Sequence, residues 1–485
     1  MSETDIAPRE APRPEDEEVK AATAAPQETS LDEDDRLKPA FVSAVLDAVG
    51  RGNAEAARAL IEPLHPADVA DLLELTPADR RADLIQALGD LLSAEVLSEL
   101  NDYVRDDVVD ELDNEQIAEL ASELDTDDAV AIIEDLDEDD KQAVLEAMEP
   151  EDRAAIESAL AYPEESAGRL MQRDLVAVPE HWSVGRTIDF LRETSDLTSD
   201  FWEIFVVDVA HRPIGTCQLS WVLRCPRDIA MTDVMKREQT LIPVDMDQEE
   251  VALRFQKYAL ISAAVVDEGG RLVGMITVDD VVHIIQEEAG EDILRLSGAG
   301  DGDINQPILL TVRTRLLWLL VNLPTAMLAA TVVNLFDAEI ARYAVLAVLM
   351  GVVSGMGGNA GTQTLAVVVR AIATNQLTSS NTKRVIMREL RIAATNGLSL
   401  GFLIGVGSFA IWHNPTLSMV FASAIFINNV VAGLAGVFVP VTLDRFNIDP
   451  AISSAVFVTM CTDCMGFLSF LGLASLAGLG AGLGG

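Results

Sequence analysis

The pattern of apolar and polar positions is most regular in residues 98–157, which repeat with a period of twelve. One apolar position recurs in every unit, as Leu100, Leu112, Leu124, Leu136 and Met148. An Asn, Asp or Glu follows each of these residues, and such residues favour the first position of a helix. A single unit is too short to bury an apolar face alone. The pattern therefore predicts a small solenoid of stacked short helices within residues 37–165.

Between residues 166 and 286 the pattern changes to short runs of β-branched residues that alternate with helical patterns. This arrangement occurs twice. In the clearer second copy, an apolar run ends at Asp267, a Gly-Gly turn follows, and Asp279 and Asp280 stand at a helix entrance. This β-α-β-β-α order resembles the cystathionine-beta-synthase-type (CBS) regulatory module, which works as a tandem pair and can bind adenine nucleotides such as ATP. We predict modules at 166–226 and 227–286. The first copy lacks the matching acid, so a purely structural role is equally open for it.

The remaining sequence has the hydropathy of a membrane protein. Apolar runs cover about 316–336, 343–369, 392–412, 417–443 and 451–473. Each run is long enough to cross ~30 Å of hydrocarbon. Basic residues lie mainly before the first run, between the second and third, and between the fourth and fifth, and only Arg342 opposes this pattern. The positive-inside rule then puts the N-terminus in the cytoplasm and the C-terminus outside.

Those runs complete the predicted domain organisation, which is an α-helical membrane protein with an all-α solenoid and α/β CBS modules before the bilayer. The five spans occupy residues 313–485, and a connecting helix with a linker occupies residues 287–312. Residues 1–36 are rich in Pro, Ala and acids, a composition that predicts a disordered tail. No basic region followed by an apolar run opens the sequence, so we expect no cleaved secretory signal.

Charge divides the chain near the start of the membrane part. Of 79 acidic and 34 basic residues, 71 and 25 precede Asp301, so the first part carries −46 and the rest +1. Such an excess of carboxylates repels nucleic acid and gathers cations. We therefore expect no nucleic-acid partner and suspect cation handling, although many of these acids are expected to be solvated helix starts.

Asp463 lies in the middle of the last span, which contains no Lys or Arg. An acid at this depth is costly, so it usually faces a water-filled path, or else it makes a protonated hydrogen bond between helices. In a two-fold dimer the same helix presents two carboxylates across the axis, an arrangement that selects divalent cations. Because Mg²⁺ sheds water reluctantly, recognition through its hydration shell suits such a site.

The second span contains an unusual segment, SGMGGNAGTQT, at residues 354–364. Its glycines allow helices to approach closely or the backbone to open. Close packing alone does not require the amide and hydroxyl groups among them, which are suited to a hydrated pore. The predicted pore-lining residues are Gly357, Gly358, Asn359, Gly361 and Gln363.

The predicted connecting helix carries four acids on one side, at i, i+3 and i+4 spacings. They are Glu287, Glu288, Glu291 and Asp292. Clustered acids repel unless cations neutralise them, so divalent ions bound there are expected to favour a closed state over an open one.

Taken together, these motifs resemble the MgtE family of magnesium transporters. The markers are LHPADVADLLE, YPEESAGRLM, DQEEVA, GRLVGMITVDDV, GMGGNAGTQ and TDCMGFLSFLGLA. Each is weak alone, but their order along the chain is highly specific. The resemblance implies a homodimer of the bacterial inner (plasma) membrane that mediates Mg²⁺ uptake. It also implies that the second and fifth spans line the pore, with the filter at Asp463, and that intracellular Mg²⁺ closes it through a plug formed by the connecting helix.

The resemblance also suggests regulatory magnesium ligands, carried over position by position. They are Asp247, Glu249, Asp280, Glu288, Glu291, Asp292 and, at the inner mouth, Asp449, with Asp127 as a looser match. Two departures stand out. His283 replaces an acid that is often found in the family, and Ala455-Val456 replaces a common Gly-Pro pair.

Two other functions remain open. A hydrated-ion filter discriminates poorly among divalent cations, so the chain is alternatively a carrier for Co²⁺ or Mn²⁺. A membrane-anchored nucleotide sensor is a further alternative, but it would not need Asp463. The five histidines are scattered and no P-loop or nucleophile-base pattern occurs, so we expect no enzyme. Cys461 and Cys464 flank Asp463 without further ligands, and we expect no metal site there.

Overall fold

The computed structural model describes residues 30–194, 201–298, 304–378, 380–451 and 454–479, except for the side chain of Asp292. The chain divides into two compact units, the first ending at Ile285 and the second beginning at Gln286. Most of the predicted tail, residues 1–29, lies outside the described residues. The rest of that tail is ordered, because Leu31 and Leu37 form an antiparallel backbone bridge. The first domain therefore begins before its predicted start at residue 37.

Short helices follow one another in the first part of the first unit, as the sequence predicted. They are α1 Pro39–Gly50, α2 Ala54–Ile61, α3 Pro66–Glu74, α4 Ala78–Leu88, α5 Ala94–Ser98, α6 Asp102–Val109, α7 Asn114–Ser122, α8 Thr126–Glu134, α9 Glu138–Ala147 and α10 Pro150–Leu160. The twelve-residue repeat produces the last five of these helices. The apolar residue that recurs in each unit packs into one continuous core, so the predicted solenoid is confirmed.

Helix capping explains why acids and amides recur in the repeat. The N-cap residues of α6 to α10 are Asn101, Asp113, Asp125, Asp137 and Glu149. In α7, Asp113 accepts a hydrogen bond from the Gln116 backbone at 2.9 Å, and the Gln116 side chain accepts one from the Asp113 backbone at 3.1 Å. A good cap contributes about 1 kcal/mol. Part of the negative charge of the first unit therefore belongs to residues that cap the N-termini of helices.

Two small mixed sheets follow, one in each predicted CBS module. The strands are β1 Ala177–Pro179, β2 Glu203–Val207 and β3 Pro213–Gln218, then β4 Leu241–Pro243, β5 Ser262–Val266 and β6 Leu272–Thr277. The middle strand of each sheet pairs parallel to the first strand and antiparallel to the third. The helices are α11 Val184–Glu193, α12 Leu219–Val222, α13 Met231–Val234, α14 Gln248–Tyr258 and α15 Val278–Ser297. The predicted duplication is confirmed.

The predicted boundary between the second module and the connecting helix falls inside one element. Helix α15 runs without a break from Val278 to Ser297, so the connecting helix is not a separate element that begins at residue 287. The physical reason is that the only weak helix former near this point, Gly290, costs about 1 kcal/mol and does not end a helix as proline does.

Among the described residues, five helices are long and apolar enough to cross a membrane, in agreement with the prediction. They are α16 Ile308–Asn334, α18 Val345–Ala373, α19 Thr382–Trp412, α20 Pro415–Arg445 and α21 Ser454–Leu476, and a short helix, α17 Asp337–Arg342, follows the first of them. Helix α16 begins at Ile308, before the predicted boundary at 313, and Pro307 is its N-cap residue. A proline is tolerated at a helix start, because its missing N–H would have no partner within the helix there.

Small residues allow the membrane helices to pack closely around α20, which is the most buried of the five. The side chain of Asn428 on α20 is fully buried and donates a hydrogen bond to the Val353 carbonyl oxygen on α18 at 2.8 Å. It fits because Gly357 on α18 and Gly466 on α21 leave room for it, and a Cβ at Gly466 would lie 2.7 Å from its amide nitrogen. Glycine is used here for close helix contact.

We expect Gly361→Ala to destabilise the membrane unit. A Cβ at Gly361 would lie 2.6 Å from Cγ1 of Val458, which is fully buried and cannot move away easily. Gly351→Ala on the same helix is the matched control, because nothing lies within 4 Å of its added Cβ. Both variants gain the same helix propensity, so overpacking should leave Gly361→Ala less stable by about 1–3 kcal/mol. Denaturant unfolding in detergent measures this difference, and equal stability of the two variants would contradict the packing described here.

Candidate functional site

Asp463 lies half-buried in α21 and contacts α18. The hydroxyl of Ser354 on α18 donates a hydrogen bond to Oδ1 of Asp463. Ser354 is the first residue of the glycine-rich segment, so the two features that the sequence marked separately are neighbours in space. The partner of Asp463 was not predicted, because the two residues are 109 positions apart and no local pattern links them. A hydroxyl donor suits an ionised carboxylate, so this contact does not require a protonated acid.

The glycine-rich segment is continuous helix, so its backbone does not open within this chain. Gly357 and Gly361 are buried and face neighbouring helices of the same chain. Asn359 and Gln363 are exposed, and nothing lies within 4 Å of a Cβ built on Gly358. The predicted pore-lining set therefore falls on two faces of α18, one for packing and one that is open in the single chain.

A first group of predicted regulatory acids meets at the end of α15, within the second unit. Arg295 forms ion pairs with Glu291 and with Asp449, and its Nη1 lies 3.0 Å from Oδ2 of Asp449. The next residue, Leu296, packs against an apolar cluster that includes Ala451 and Val458 of the membrane part. Two of the predicted acids are thus brought together, by an arginine that the sequence reasoning had not included.

A second group of acids lies within the first unit, on α8 and at the start of α15. The Thr277 hydroxyl donates a hydrogen bond of 2.7 Å to Oδ2 of Asp280, and the Gln172 amide approaches the same oxygen at 3.4 Å. Asp127 and Asp128 on α8 lie near enough to Asp280 to repel it. Oδ1 of Asp127 is buried and has no hydrogen-bond partner in the part of the chain that the structure describes.

The electrostatics of this second group are those of crowded carboxylates. Burial, and then repulsion from Asp280, raises the pKa of Asp128 to about 6. Burial likewise raises the pKa of Asp280 to about 6, despite the stabilising Thr277 hydrogen bonds. Burial and the charge of Asp280 raise the pKa of Asp127 well above its usual range. The charge of His283 lowers the pKa of Asp128, so a base lies near these acids.

No three His, Cys, Asp or Glu side chains of the described residues converge closely enough to form a complete metal site. An ion bound among Asp127, Asp128 and Asp280 would therefore need water or backbone oxygens as well. Mg²⁺ usually keeps several waters and takes only one or two carboxylates, so these residues suit it.

The other predicted regulatory acids have different surroundings. Asp247 is the N-cap of α14, and its Oδ1 accepts a hydrogen bond from the Glu249 backbone nitrogen at 2.9 Å. Glu288 is half-buried on α15, and the side chain of Asp292 lies outside the described residues. The geometry of Asp247 is that of a helix cap, and an ion-binding role for these acids stays a prediction.

Sequence reasoning missed several buried polar residues of the membrane unit. Asn428 and Asn429 on α20 and Glu389 on α19 are each at most 5% exposed. A signal was available, because two adjacent amides interrupt an apolar span and Glu389 stands among arginines that were read only as positive-inside markers. Buried polar groups in a membrane protein mark ion pathways or helix contacts.

Three family models match the chain. The model for the MgtE divalent cation transporter covers residues 350–473, the MgtE intracellular N domain covers 64–165, and the CBS domain covers 231–287. The matches fall on the membrane helices, the solenoid and the second CBS module. These are the segments that hold Asp463, Asp127 and Asp280.

Curated relatives named magnesium transporter MgtE match most of the chain. The protein from Thermus thermophilus is 32% identical over 324 residues, which are 66% of this chain and 72% of the relative. The protein from Enterococcus faecalis is 30% identical over 321 residues, 65% of this chain and 70% of the relative. A crystal structure of the cytosolic domain of the Mg²⁺ channel MgtE in complex with ATP is 30% identical, with a TM-score of 0.46, and covers 50% of this chain and 99% of that chain.

The identity over more than two thirds of these relatives agrees with the three matched domains, the tandem modules and the five apolar helices. The N-terminal domain matched here is an intracellular one, and the family transports ions and is not a family of enzymes. The chain belongs to the MgtE family and is a multi-pass magnesium transporter with an intracellular N-terminal domain.

Proposed function

We propose that two copies of this chain form a Mg²⁺-selective channel for uptake across the plasma membrane, with Asp463 as the selectivity residue and the acidic intracellular half as a magnesium-sensing gate. The observation that carries the proposal is the meeting of Asp463 with Ser354, at the start of the polar, glycine-rich segment of α18.

The pore proposal rests on the environment of Asp463. Its helix contains no basic residue, and the neighbour that binds it is a neutral hydroxyl. A carboxylate at this depth needs water, a cation or a strong donor to offset the loss of hydration. Two such carboxylates across a two-fold axis attract a divalent ion more strongly than a monovalent one. A hydrated Mg²⁺ then meets both carboxylates through its own waters.

The dimer proposal is supported by the open face of α18. Asn359 and Gln363 are exposed polar side chains on a helix of membrane-spanning length. Facing lipid, their amides would lose hydrogen bonds to water and gain nothing in return. A second subunit and a hydrated path between the subunits remove that cost. The buried face of the same helix, with Gly357 and Gly361, is already used within the chain.

The gate proposal rests on the end of α15. Leu296 packs against apolar residues at the beginning of α21, and Arg295 holds Asp449 beside Glu291. A cation that binds the two acids can replace the guanidinium as their counter-charge. Magnesium then changes the stability of this contact, as a ligand must if it is to shift the balance between two states.

The acids of α8 and of the start of α15 supply a second sensing element. With Asp127, Asp128 and Asp280 all ionised, the group stores repulsion that a bound Mg²⁺ relieves. Magnesium would therefore favour the compact arrangement of the first unit. ATP at the tandem CBS modules stays a prediction, since Asp280 is already engaged by Thr277.

Asp463→Asn should abolish magnesium transport. The amide oxygen can still accept the hydrogen bond from Ser354, so helix contact is kept while the negative charge is lost. We expect Mg²⁺ uptake by reconstituted vesicles to fall at least tenfold, roughly 1.4 kcal/mol or more in ion stabilisation.

Ser354→Ala is the matched control for the loss of charge, because it removes the hydrogen bond and leaves the carboxylate. It should retain most of the uptake. If Asp463→Asn transports normally while Ser354→Ala does not, Asp463 is a helix contact and the pore proposal is wrong. Size-exclusion chromatography of both variants checks that they fold and assemble alike.

Asp280→Asn should weaken magnesium protection of the intracellular half. Limited proteolysis of the purified protein across a Mg²⁺ titration at pH 7.5 should give resistance in the unmodified chain. The variant should require several-fold more Mg²⁺, because one ligand and one charge are missing. Asp139→Asn, which alters an exposed acid of α9, is the control with the same charge change. Identical titrations for the two variants would show that Asp280 is not part of the magnesium sensor.

The same acids predict a pH dependence of stability without magnesium. Folding raises the pKa of Asp128 and Asp280 from 3.8 to about 6, so the folded state binds more protons than the unfolded state in this range. Stability is then highest below about pH 4 for these groups and is lost as the pH rises through about 6. Thermal unfolding of the first unit in EDTA should weaken over this window, and Asp280→Asn should flatten the change. An unchanged slope in the variant would refute the crowded-acid description.

A further inference from the structure

A polar cavity of about 200 Å³ lies among α18, α19 and α20, away from the Asp463 contact. Neither Asp463 nor Ser354 lines it. Its polar lining consists of Gln363, Thr364, Arg388, Glu389, Asn396 and Asn429. Since a water molecule takes about 30 Å³ of liquid volume, the cavity has room for a small ion with several waters.

The cavity holds a buried carboxylate that the proposed pore does not use. Glu389 is 5% exposed, although it lies on a helix of membrane-spanning length. Nη1 of Arg388 donates a hydrogen bond to Oε1 of Glu389 at 2.7 Å. The Arg388 side chain is 64% exposed, so its head can leave the carboxylate without crossing a packed core. Glu389 is therefore a buried anion with a removable counter-charge.

The second observation is an unsatisfied acceptor on a residue that lines the same cavity. Asn429 is 1% exposed, and its amide nitrogen donates a hydrogen bond to the Ile425 carbonyl oxygen at 2.9 Å. The amide oxygen, Oδ1, is buried and has no hydrogen-bond partner within the described residues. A buried acceptor without a donor is rare and indicates a bound water or ion.

The lining therefore offers oxygen ligands of the kind that bind hard cations: one carboxylate, side-chain amide oxygens and the Thr364 hydroxyl. Charge balance selects among such cations. Once Arg388 has moved away, a monovalent cation balances the single charge of Glu389, whereas a divalent cation would leave one surplus positive charge beside the buried Glu389 and Asn429 side chains. An uncompensated buried charge is strongly unfavourable.

We propose that this cavity, which we call the Glu389 cavity, binds a small monovalent metal cation such as Na⁺. The ion takes the place of Arg388 as the counter-charge of Glu389 and satisfies Oδ1 of Asn429. Because the ligands come from three helices, a bound ion stabilises the packing of α18 against α19 and α20. Sodium thereby acts on the same helix that carries Ser354, at a site that contains neither Ser354 nor Asp463 and that shares Gln363 with the proposed pore lining.

Direct binding tests the proposal. Purified full-length protein in detergent, with EDTA present to remove divalent cations, is titrated with radioactive ²²Na⁺ while choline chloride keeps the ionic strength constant. The unmodified chain should bind Na⁺ saturably. Glu389→Gln keeps the shape of the side chain and removes its charge, and it should weaken binding at least about tenfold. Asp444→Asn, which alters an exposed acid of the same unit, is the matched control and should bind as the unmodified chain does.

A second variant guards against a folding defect in Glu389→Gln. Asn396 is an exposed lining residue, so Asn396→Ala should fold normally and weaken Na⁺ binding several-fold. Undiminished ²²Na⁺ binding in both variants, or no saturable binding by the unmodified chain, would overturn the proposal. Displacement of ²²Na⁺ by micromolar Mg²⁺ that depends on Glu389 would reassign the cavity to a divalent ion. None of these results bears on transport through Asp463.

Discussion

A carboxylate in the middle of a membrane helix must be solvated by something other than lipid, and the arrangement of the second unit follows from that constraint. Asp463 meets Ser354 because α18 and α21 are held in register by Asn428 of α20. The Asn428 amide binds the carbonyl oxygen of the residue just before Ser354. It can do so only because Gly357 and Gly466 leave space for it. The small residues thus fix the position of the Ser354 hydroxyl, which donates a hydrogen bond to Asp463.

Loss of hydration also affects carboxylates outside the membrane helices, although less severely. Burial raises the pKa of Asp127, Asp128 and Asp280, and repulsion from neighbouring carboxylates raises each of these pKa values further. Arg295 offers the opposite solution, in which the chain itself provides the cation for Glu291 and Asp449. The described residues therefore include crowded acids, Asp127, Asp128 and Asp280, and acids that Arg295 neutralises, Glu291 and Asp449.

Regular patterns were readable from the sequence, and contacts between distant residues were not. The twelve-residue period gave the solenoid helices with their caps, and hydropathy gave the five long apolar helices. Asp463 stood out in the sequence because an acid is rare and costly in an apolar span. Which glycines of α18 pack and which stay open depends on the neighbouring helices, and no spacing within the segment encodes that. Arg295 was overlooked for a similar reason, since its partner Asp449 is 154 residues away.

The continuity of α15 changes where one part of the chain ends and the next begins. Asp280 lies in the first turn of this helix and Arg295 in its last, so both belong to one element. Gly290 is the only glycine or proline within this helix, and a single glycine weakens a helix without ending it. The acid Asp280 near the start of α15 has its contacts within the first unit, and Arg295 has its ion pairs within the second. The continuous helix therefore belongs in part to each unit, and a boundary drawn at residue 287 from the spacing of the acids divides one element.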